Sequence, residues 1–300
     1  MRAFRRELAG VGARPLEQQY QPKIGLALGG GFARGLAHIG ILKVFEEENI
    51  PISYIAGTSV GALLGATYCS GVSAKEMEEL AGLVRFKHFA KWTISRYGFA
   101  SNERMVGFLA KILKCKTFEE LRIPLAVTAT DFVTGEGVVF DSGPLIDPVR
   151  ASCAYPGMFL PVNIQGRLLV DGLLAYSVPT IPVRNMGADK VLGVHLRAHW
   201  VNGGGPRHIF DVIGQCFSIA QSKMCGLWQP AADLIVEPNV AGFSYDGFER
   251  ASELVRAGEE AARAALPEIR KWLVEPRAAT MTASPSSHNA GPQAVELAGD

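Results

Sequence analysis

The order of apolar segments along the chain predicts a three-layer α/β/α fold with a mostly parallel central sheet. Short apolar runs of strand length alternate with longer runs that carry apolar residues at helical spacing. The first apolar run ends at a cluster of glycines, and open α/β folds place their sites at the carboxyl edge of such strands. Between residues 23 and 275 no internal repeat and no long linker interrupts the pattern. Strands that alternate with helices favour a sheet covered by helices on both faces.

The elements of the first half follow from this alternation. Residues 24–28 form a continuous apolar run, and together with Lys23 they predict a buried strand over residues 23–28. Ser73, with Glu76 three residues later, forms a capping box that predicts a helix ending near Val84. The expected order is strand 23–28, helix 34–49, strand 53–57, a helix of small residues at 60–69 and helix 74–84.

The second half is expected to begin with hairpins and to end with long helices. Residues 131–136 indicate the turn of one hairpin, and Gln165-Gly166 that of a smaller one. The expected order is strands 125–130 and 137–140, a short helix 148–155, a small hairpin within 164–170, strand 190–196, helix 209–227, strand 233–236 and a mostly helical segment 245–273. We expect a single domain over residues 23–275, a flexible arm over 1–22 and a disordered tail, rich in Ala, Ser, Pro and Gly, over 276–300.

Composition is ordinary for a globular protein and argues against several functional classes. The 300 residues are 48% hydrophobic and 20% charged, and the net charge of +1 gives no reason to expect a nucleic-acid partner. Five cysteines, without a C-x-x-C pair, favour a reducing compartment and argue against a disulfide framework or a structural zinc site. We therefore expect a cytoplasmic location, no cofactor and no catalytic metal.

The uncharged stretch at residues 49–74 could suggest a membrane-spanning segment. Pro51 and four glycines interrupt it, and serines and threonines dilute it. A strand, a turn and a buried helix therefore explain it better than a bilayer span. The dipeptide Arg5-Arg6 also fails as an export signal, because no apolar stretch follows it.

A pentapeptide of the form G-x-S-x-G lies at residues 57–61 (GTSVG), between an expected strand and an expected helix. In that context the pattern is typical of a nucleophile elbow, a strained turn that presents one serine hydroxyl. Gly57 and Gly61 avoid steric clash with the neighbouring backbone around Ser59. The alternative is a plain strand-to-helix turn made of small residues. The pattern favours Ser59 as a catalytic nucleophile.

A second glycine-rich motif lies at residues 29–35 (GGGFARG). Gly29, Gly30 and Gly31 leave their N–H groups unscreened, and the helix that follows adds its positive end. Such donors stabilise negative charge on a carbonyl oxygen, so this run is a candidate oxyanion hole. A nucleotide-binding loop fits less well, because Arg34 stands where G-x-G-x-x-G needs its third glycine and no Gly-Lys-Ser/Thr follows.

A catalytic serine requires a base, and the residues leave several candidates open. Asp171 ends an apolar segment and precedes Gly172, although Asp-Gly is also a common hairpin turn. His195 and His199 follow a late strand in the order Ser, Asp, His found in α/β-hydrolases, so a triad with either histidine is a rival. His38 lies on the helix after the glycine run.

Taken together, these motifs resemble those of the patatin-like phospholipases, particularly the bacterial single-domain group. Residues 29–35 are similar to the family's oxyanion loop, residues 57–61 to its nucleophile elbow, and Asp171-Gly172 to its Asp-Gly motif. Residues 129–135 and 150–157 resemble connecting segments of the bacterial group. The match runs in the family's order from about Lys23 to Leu196.

The resemblance implies a serine lipid acyl hydrolase of the phospholipase A or lysophospholipase type, acting on phospholipid or other fatty-acyl esters. It implies a dyad without histidine, in which Ser59 is the nucleophile and Asp171 the proton acceptor. An aspartate with its ordinary pKa of about 3.9 is a poor base, so this mechanism would depend on geometry and on the oxyanion donors. The implied site consists of Ser59, Asp171, the oxyanion glycines Gly29, Gly30 and Gly31, and the supporting residues Arg34, Gly57, Gly61 and Gly172.

Two residues in or next to these motifs, Leu173 and Arg34, leave alternatives open. Leu173 stands where the family usually has Gly or Ala, so a catalytically weak lipid-binding protein is a further alternative. Arg34 could steady the glycine loop, meet a lipid phosphate or pair with a carboxylate.

Basic and aromatic residues interleave between Arg85 and Phe99. Such a segment suits a bilayer surface, with rings at headgroup depth and cations near anionic lipid. The alternative is an irregular connection whose aromatic rings cover the core. The hypothesis is that residues 85–99 contact the membrane peripherally and line the entrance to the site.

Overall fold

An eight-stranded sheet forms the centre of the computed structural model, which describes residues 21–85, 88, 91–95, 98–197, 205–207 and 209–274. The strands are β1 (Ile24–Leu28), β2 (Ile52–Thr58), β3 (Lys91–Ser95), β4 (Gly98–Ser101), β5 (Leu125–Asp131), β6 (Gly137–Phe140), β7 (Val162–Ile164), β8 (Arg167–Asp171), β9 (Lys190–Val194) and β10 (Leu234–Val236). The helices are α1 (Ala37–Glu47), α2 (Val60–Cys69), α3 (Ala74–Leu83), α4 (Glu103–Ile112), α5 (Ile146–Ser152), α6 (Thr180–Asn185), α7 (Ile209–Trp228) and α8 (Ala251–Val274). The order in the main sheet is β10-β9-β1-β2-β5-β8-β7, with β6 also paired to β5, while β3 and β4 form a separate pair.

Five neighbouring strands, from β10 to β5, are parallel and form what we call the parallel half of the sheet. Leu28 at the end of β1 lies opposite both Gly57 of β2 and Val194 of β9. The loops after β9, β1 and β2 therefore leave the sheet side by side at its carboxyl edge. The predicted α/β fold with a mostly parallel sheet is confirmed.

The remaining strands, β6, β7 and β8, pair antiparallel and form the antiparallel half, which is joined to the parallel half by β5. One edge of β5 pairs with β6 along residues 127–130. The opposite edge pairs first with β2, along residues 125–128, and then with β8, along residues 129–131. The end of β2 and the end of β8 therefore meet on the same edge of one strand.

Helices cover both faces of the sheet. On one face, Leu26, Leu28 and Ile55 contribute to a large apolar core shared with α1, α2, α3 and α8. On the other face, Ala27 and Ala56 pack in a smaller cluster with residues of α6 and with the end of α7. Alternate strand residues thus face opposite layers, which is the basis of the three-layer arrangement.

Helices α1 and α8 cross at very short range. A Cβ atom placed on Gly40 would lie 1.9 Å from the carbonyl oxygen of Val255, and one on Gly258 would lie 1.9 Å from that of Ala37. The two glycines therefore let the backbones of α1 and α8 touch.

Most of the predicted elements agree with the structure, and two differ. The capping box of Ser73 and Glu76 is present at the start of α3, and Gln165 and Gly166 have φ of 51° and 82°, as a tight hairpin turn requires. The predicted helix 34–49 instead starts as a 3-10 turn, Phe32–Leu36, before α1 begins at Ala37. The helix expected at 148–155 is shifted to Ile146–Ser152, because the chain turns at Cys153 to approach β7.

Residues Gln21–Leu273 form one compact unit. The expected arm at 1–22 and tail at 276–300 lie, apart from residues 21 and 22, outside the described residues, so these boundaries stay a prediction. None of the helices in the described ranges is long and apolar enough to cross a membrane.

Candidate active site

Ser59 lies in a strained turn between β2 and α2. Its φ of 56° and ψ of −122° fall in a region that side-chain-bearing residues rarely adopt. The Ser59 N–H donates a hydrogen bond to Ser152 Oγ over 2.8 Å, which helps to hold the turn. A Cβ atom on Gly61 would lie 2.2 Å from the Leu28 carbonyl oxygen, and one on Gly57 would lie 2.5 Å from the Cα of Ala62. The elbow thus needs both flanking glycines.

Asp171 reaches Ser59 because β8 ends where β2 ends. Asp171 lies opposite Ala129 on β5, one residue beyond the Thr58–Thr128 pair of β2 and β5. Its Oδ2 accepts a hydrogen bond from Ser59 Oγ over 2.7 Å. The structure therefore brings together the two residues that the sequence motifs single out, although 112 positions separate them in the chain.

The carboxylate of Asp171 is fully buried, and burial changes its chemistry. Removal from water raises its pKa from 3.8 to about 7, while the hydrogen bonds from Ser59 and from the Leu173 N–H act in the opposite direction. This corrects the expectation that Asp171 is a poor base. A carboxyl group that titrates near neutral pH is well matched to accepting and returning a proton.

Leu173 and Gly172 keep the carboxylate in place. The Leu173 N–H donates to Asp171 Oδ1 over 3.0 Å, and its buried side chain packs with Tyr155 and Met158. A Cβ on Gly172 would lie 2.5 Å from the Thr128 carbonyl oxygen, so a larger residue would push β8 away from β5. Because the contact of Leu173 with Asp171 is made by the backbone, the bulky side chain leaves that hydrogen bond intact.

The glycine loop runs beside Ser59, and its N–H groups have different partners. A Cβ on Gly30 would lie 3.4 Å from the Cβ of Ser59. The Gly29 N–H donates to Val194 and the Gly30 N–H to Ser177, over 3.1 and 3.3 Å. The Gly31 N–H has no hydrogen-bond acceptor among the described residues. Of the three predicted oxyanion donors, Gly29 is thus used by the fold and Gly31 is the most available.

Two side chains, those of His38 and Arg34, hold the glycine loop in place through hydrogen bonds. His38, fully buried on α1, donates from Nε2 to the Gly29 carbonyl oxygen over 2.8 Å. Burial lowers the pKa of His38 to about 4, so the ring is neutral at physiological pH. Arg34 donates from Nε to the Phe243 carbonyl oxygen over 2.8 Å, and burial lowers its pKa to about 10. These contacts make both residues supports of the loop.

His195 lies on the far side of the glycine loop from Ser59. It follows β9, and β1 stands between β9 and β2, so two strand spacings, about 10 Å, separate the two strand ends. Its Nδ1 is 2.8 Å from Glu237 Oε1, whereas the Ser59 hydroxyl donates to Asp171. The geometry therefore favours Asp171 over His195 as the base. His199, the other histidine of the rival triad, lies outside the described residues.

Two cavities of opposite character meet at Ser59. The first is apolar, and no charged residue lines it in the described part of the chain. Its wall includes Ile39 from α1, Leu63 from α2, Met77 from α3 and Phe108 from α4. The second cavity is polar and lies against the glycine loop; its lining includes Gly31, Arg34, Ser177, His195, Ser218 and Gln221.

The segment proposed to contact a membrane is only partly described. Lys91 is exposed at the start of β3, and Phe99 is 48% exposed on β4. Residues 86, 87, 89, 90, 96 and 97 lie outside the described residues. The hypothesis of a membrane contact stays a prediction.

Ser152 and three threonines are site residues that the sequence did not reveal. Thr58 and Thr128 are joined through their hydroxyls at 2.7 Å, and Thr130 Oγ1 donates to the Asp171 carbonyl oxygen over 2.9 Å. They hold the ends of β2 and β8 against β5. Ser152 lies in a segment that resembles the bacterial group, but nothing in the sequence alone indicates its contact with Ser59.

Comparisons with known proteins point to one family. The family model described as patatin-like phospholipase matches residues 26–184. An uncharacterized NTE family protein of Mycobacterium bovis is 35% identical over 187 residues, which cover 58% of this chain and 49% of the relative. Lysophospholipase NTE1 of Mycosarcoma maydis is 29% identical over 228 residues, 72% of this chain and 12% of the relative. The chain thus spans about half the length of the mycobacterial relative and a small part of the fungal one.

A solved structure is similar in fold. The crystal structure of VipD from Legionella pneumophila superposes with a TM-score of 0.53 at 14% sequence identity, covering 83% of this chain and 67% of that one. At this identity the likeness concerns the fold alone.

Proposed function

The chain belongs to the patatin-like phospholipase family, and from that premise we propose that it is a serine lipid acyl hydrolase with a Ser59–Asp171 dyad. The observation that carries the proposal is the 2.7 Å hydrogen bond from Ser59 Oγ to the buried Asp171 Oδ2. It joins a strained nucleophile to a carboxylate whose pKa burial raises to about 7, at the point where an apolar and a polar cavity meet.

In the acylation step, Ser59 Oγ attacks the ester carbonyl carbon and its proton passes to Asp171 Oδ2. The carbonyl oxygen becomes an oxyanion, to which the Gly31 N–H donates, together with that of Gly30 if its long bond to Ser177 opens. The C–O bond to the alcohol then breaks, and the proton on Asp171 transfers to the leaving oxygen. An acyl-enzyme and a free alcohol result.

In the deacylation step, Asp171 accepts a proton from water as the water oxygen attacks the acyl-enzyme carbonyl carbon. Collapse of the second oxyanion breaks the bond to Ser59 Oγ, and Asp171 returns its proton to that oxygen. The products are a fatty acid and the original serine. A pKa near 7 suits both halves of this cycle, because the carboxyl group gains and loses one proton in each.

The substrate we propose is a phospholipid, with a single-chain lysophospholipid preferred. The apolar cavity between α1, α2, α3 and α4 begins at Ser59 and suits one acyl chain. The polar cavity on the other side suits the alcohol part of the ester. The name of the fungal relative, a lysophospholipase, supports the same substrate class.

The rival mechanisms receive less support. A triad with His195 would need that ring to approach Ser59, but its Nδ1 pairs with Glu237 at 2.8 Å, two strands away from β2. A lipid-binding protein without activity was suggested only by Leu173, whose N–H supports the Asp171 carboxylate.

We also propose that this hydrolase is a single domain over residues 23–275 that works in a reducing, cytoplasmic compartment. All five cysteines are free, which supports a reducing compartment. Peripheral contact with a membrane through residues 85–99 is the remaining part of the proposal. If neutralising Lys87, Lys91 and Arg96 left vesicle binding unchanged, that contact would be wrong.

The function is tested by measuring fatty-acid release from a lipid panel. The panel contains diacyl phospholipids, lysophospholipids and monoacylglycerols of one chain length. We expect the wild type to release fatty acid, Ser59→Ala to release none above background, and the exposed control Ser142→Ala to match the wild type. Equal hydrolysis by Ser59→Ala, or a wild type inactive on every lipid, would overturn the proposal.

A further inference from the structure

The polar cavity beside the glycine loop is lined by a histidine, His195, that the proposed reaction does not use. His195 follows Val194, whose carbonyl oxygen accepts the Gly29 N–H over 3.1 Å, so His195 stands directly beside the loop. The same cavity is lined by both Ser59 and His195. A ligand held at Ser59 can therefore extend across the loop to His195.

The lining of this cavity is suited to a negatively charged group. The lining residues with side chains that can donate hydrogen bonds include His195, Gln221, Ser177 and Ser218. Arg34, which is held by the Phe243 carbonyl oxygen, adds a positive charge, and aromatic and leucine side chains also line the cavity. Among the described lining residues there is no carboxylate. A cavity of this composition favours an anion with several acceptor oxygens, such as a phosphate.

His195 is held in a fixed position. Its backbone N–H donates to the Val236 carbonyl oxygen over 3.0 Å, and its ring lies edge-on to Trp228 with 5.2 Å between centroids. Because Nδ1 pairs with Glu237 Oε1 at 2.8 Å, Nε2 is the ring nitrogen left for a ligand. In the protonated ring both nitrogens are donors, so Nδ1–H donates to Glu237 and Nε2–H can donate to an anion. A histidine oriented by a carboxylate in this way is pre-organised to bind.

The spacing fits a lysophospholipid. In a lysophospholipid acylated on the first glycerol carbon, three carbons separate the ester oxygen from the phosphate group. That span is of the same order as the two strand spacings, about 10 Å, between the ends of β2 and β9. A lipid with its ester carbonyl at Ser59 and its acyl chain in the apolar cavity would place its phosphate near His195.

We propose that the polar cavity is a headgroup site, in which His195, oriented by Glu237, binds the phosphate of a lysophospholipid whose ester lies at Ser59. This inference rests on the proposed hydrolase function and adds the residue that selects a phosphate-bearing substrate. His195 acts here as a specificity residue and takes no part in the proton transfer between Ser59 and Asp171.

The first test compares two substrates with one acyl chain. The purified full chain hydrolyses oleoyl lysophosphatidylcholine and oleoyl monoacylglycerol, and the ratio of the two kcat/KM values is measured. We expect His195→Gln to lower this ratio about tenfold, mainly through KM for the phosphate-bearing lipid, since one charge-assisted hydrogen bond is lost. The matched control Lys190→Gln removes a positive charge from the opposite end of β9 and leaves the ratio unchanged. An equal effect on both substrates overturns the inference.

The second test does not depend on hydrolysis. Calorimetric titration measures binding of sn-glycerol 3-phosphate, inorganic phosphate and glycerol to Ser59→Ala, with and without His195→Gln. We expect glycerol 3-phosphate to bind, glycerol not to bind, and His195→Gln to weaken binding about tenfold. Binding of inorganic phosphate as tightly as glycerol 3-phosphate would assign the cavity to free phosphate and overturn the headgroup site. If the wild type hydrolyses no lipid, the hydrolase proposal fails and this titration alone decides whether the phosphate site exists; failure of glycerol 3-phosphate to bind overturns it.

Discussion

The parallel and antiparallel halves of the sheet contribute different kinds of groups to the candidate site. The parallel half supplies loops: the glycine loop after β1, the elbow after β2 and His195 after β9. The antiparallel half supplies one side chain, Asp171, at the end of β8. The first contribution is made mostly by backbone geometry and the second by a buried charge. The dyad exists only where the two halves meet on β5.

This meeting point has its own hydrogen bonds. Thr128 joins Thr58 on β2 through a 2.7 Å contact between hydroxyls, and the next residues of β5 pair with β8. The neighbouring Thr130 donates to the Asp171 carbonyl oxygen over 2.9 Å. The position of Asp171 relative to Ser59 is therefore set by the register of β2 and β8 on one strand, and changes in either half should affect the site differently.

The largest effect is expected from removing the charge of the antiparallel half. Asp171→Asn keeps the shape of the side chain but cannot accept the Ser59 proton, so kcat should fall by about 10³ or more. The control Asp141→Asn changes an exposed aspartate and should leave kcat within twofold of the wild type. Steady-state hydrolysis of a lysophospholipid measures kcat for both variants. Activity of Asp171→Asn near the wild-type level would mean that the reaction does not need the carboxylate from the antiparallel half.

The same substitution should have the opposite effect on stability. The pKa of Asp171 is higher in the folded chain, about 7, than the ordinary 3.8, so the folded state binds the proton more tightly than the unfolded state. The associated stability is present below the unfolded pKa and is lost as pH rises through about 7. At pH 8, Asp171→Asn should therefore raise Tm, while at pH 4 the two proteins should differ little. A lower Tm at pH 8 would contradict the raised pKa.

The next largest effect is expected from pH. Because Asp171 must be ionised to accept a proton, kcat should fall tenfold per pH unit below about 7, and about a hundredfold by pH 5. A pH–kcat profile of the wild type measures this acidic limb. A limb placed near the ordinary carboxyl pKa of 3.8 would mean that burial does not shape the reaction.

A smaller effect is expected from loosening the parallel half. His38→Leu removes the hydrogen bond to the Gly29 carbonyl oxygen that orients the glycine loop. We expect kcat to fall about tenfold with little change in KM, since an oxyanion donor is misplaced only in the transition state. His38→Gln, which retains a donor, should recover part of the loss. If only Tm changed and kcat stayed at the wild-type value, His38 would contribute to the stability of the fold but not to the orientation of the oxyanion donors.

The smallest effect is expected at the elbow support. Ser152→Ala leaves the Ser59 N–H without its acceptor, so the strained turn should relax. We expect the free energy of unfolding to fall by about 2 kcal/mol and kcat to decrease a few-fold. Urea unfolding followed by tryptophan fluorescence, together with kinetics, measures both. Unchanged stability would mean that α2 alone fixes the elbow.

Local patterns were sufficient to predict the parallel half. Continuous apolar runs indicated β1 and β9, the motif around Ser59 indicated the elbow, and small residues predicted α2 with its bounds at Val60–Cys69. These features depend on neighbours in the chain, and so the sequence carries them directly. The 3-10 start at Phe32–Leu36 departs from the predicted helix at Phe32, whose φ is 52° and whose ring packs edge-on against Tyr155 and Tyr245. These two partners are distant in the chain, so no local pattern indicates the contact.

The junction of the halves could not be predicted in the same way. That β2 and β8 share one edge of β5 depends on pairings between residues far apart in the chain, such as Ile55 with Leu125 and Ala129 with Asp171, which no local pattern encodes. The raised pKa of Asp171 follows from complete burial, and the use of the Gly29 N–H by Val194 follows from the β1–β9 register. The resemblance of the motifs was enough to predict which residues form the dyad. Their contact and the raised pKa of Asp171 could be seen only in the folded structure.

The most direct measurement of the central claim is the rate of covalent labelling of Ser59 by a fluorophosphonate, located by mass spectrometry. The wild type is compared with Asp171→Asn, His195→Gln and His199→Gln at pH 8. The dyad predicts labelling slowed by about 10³ in Asp171→Asn and within tenfold of the wild type in both histidine variants. Loss of labelling in a histidine variant, with Asp171→Asn labelled at the wild-type rate, would contradict it.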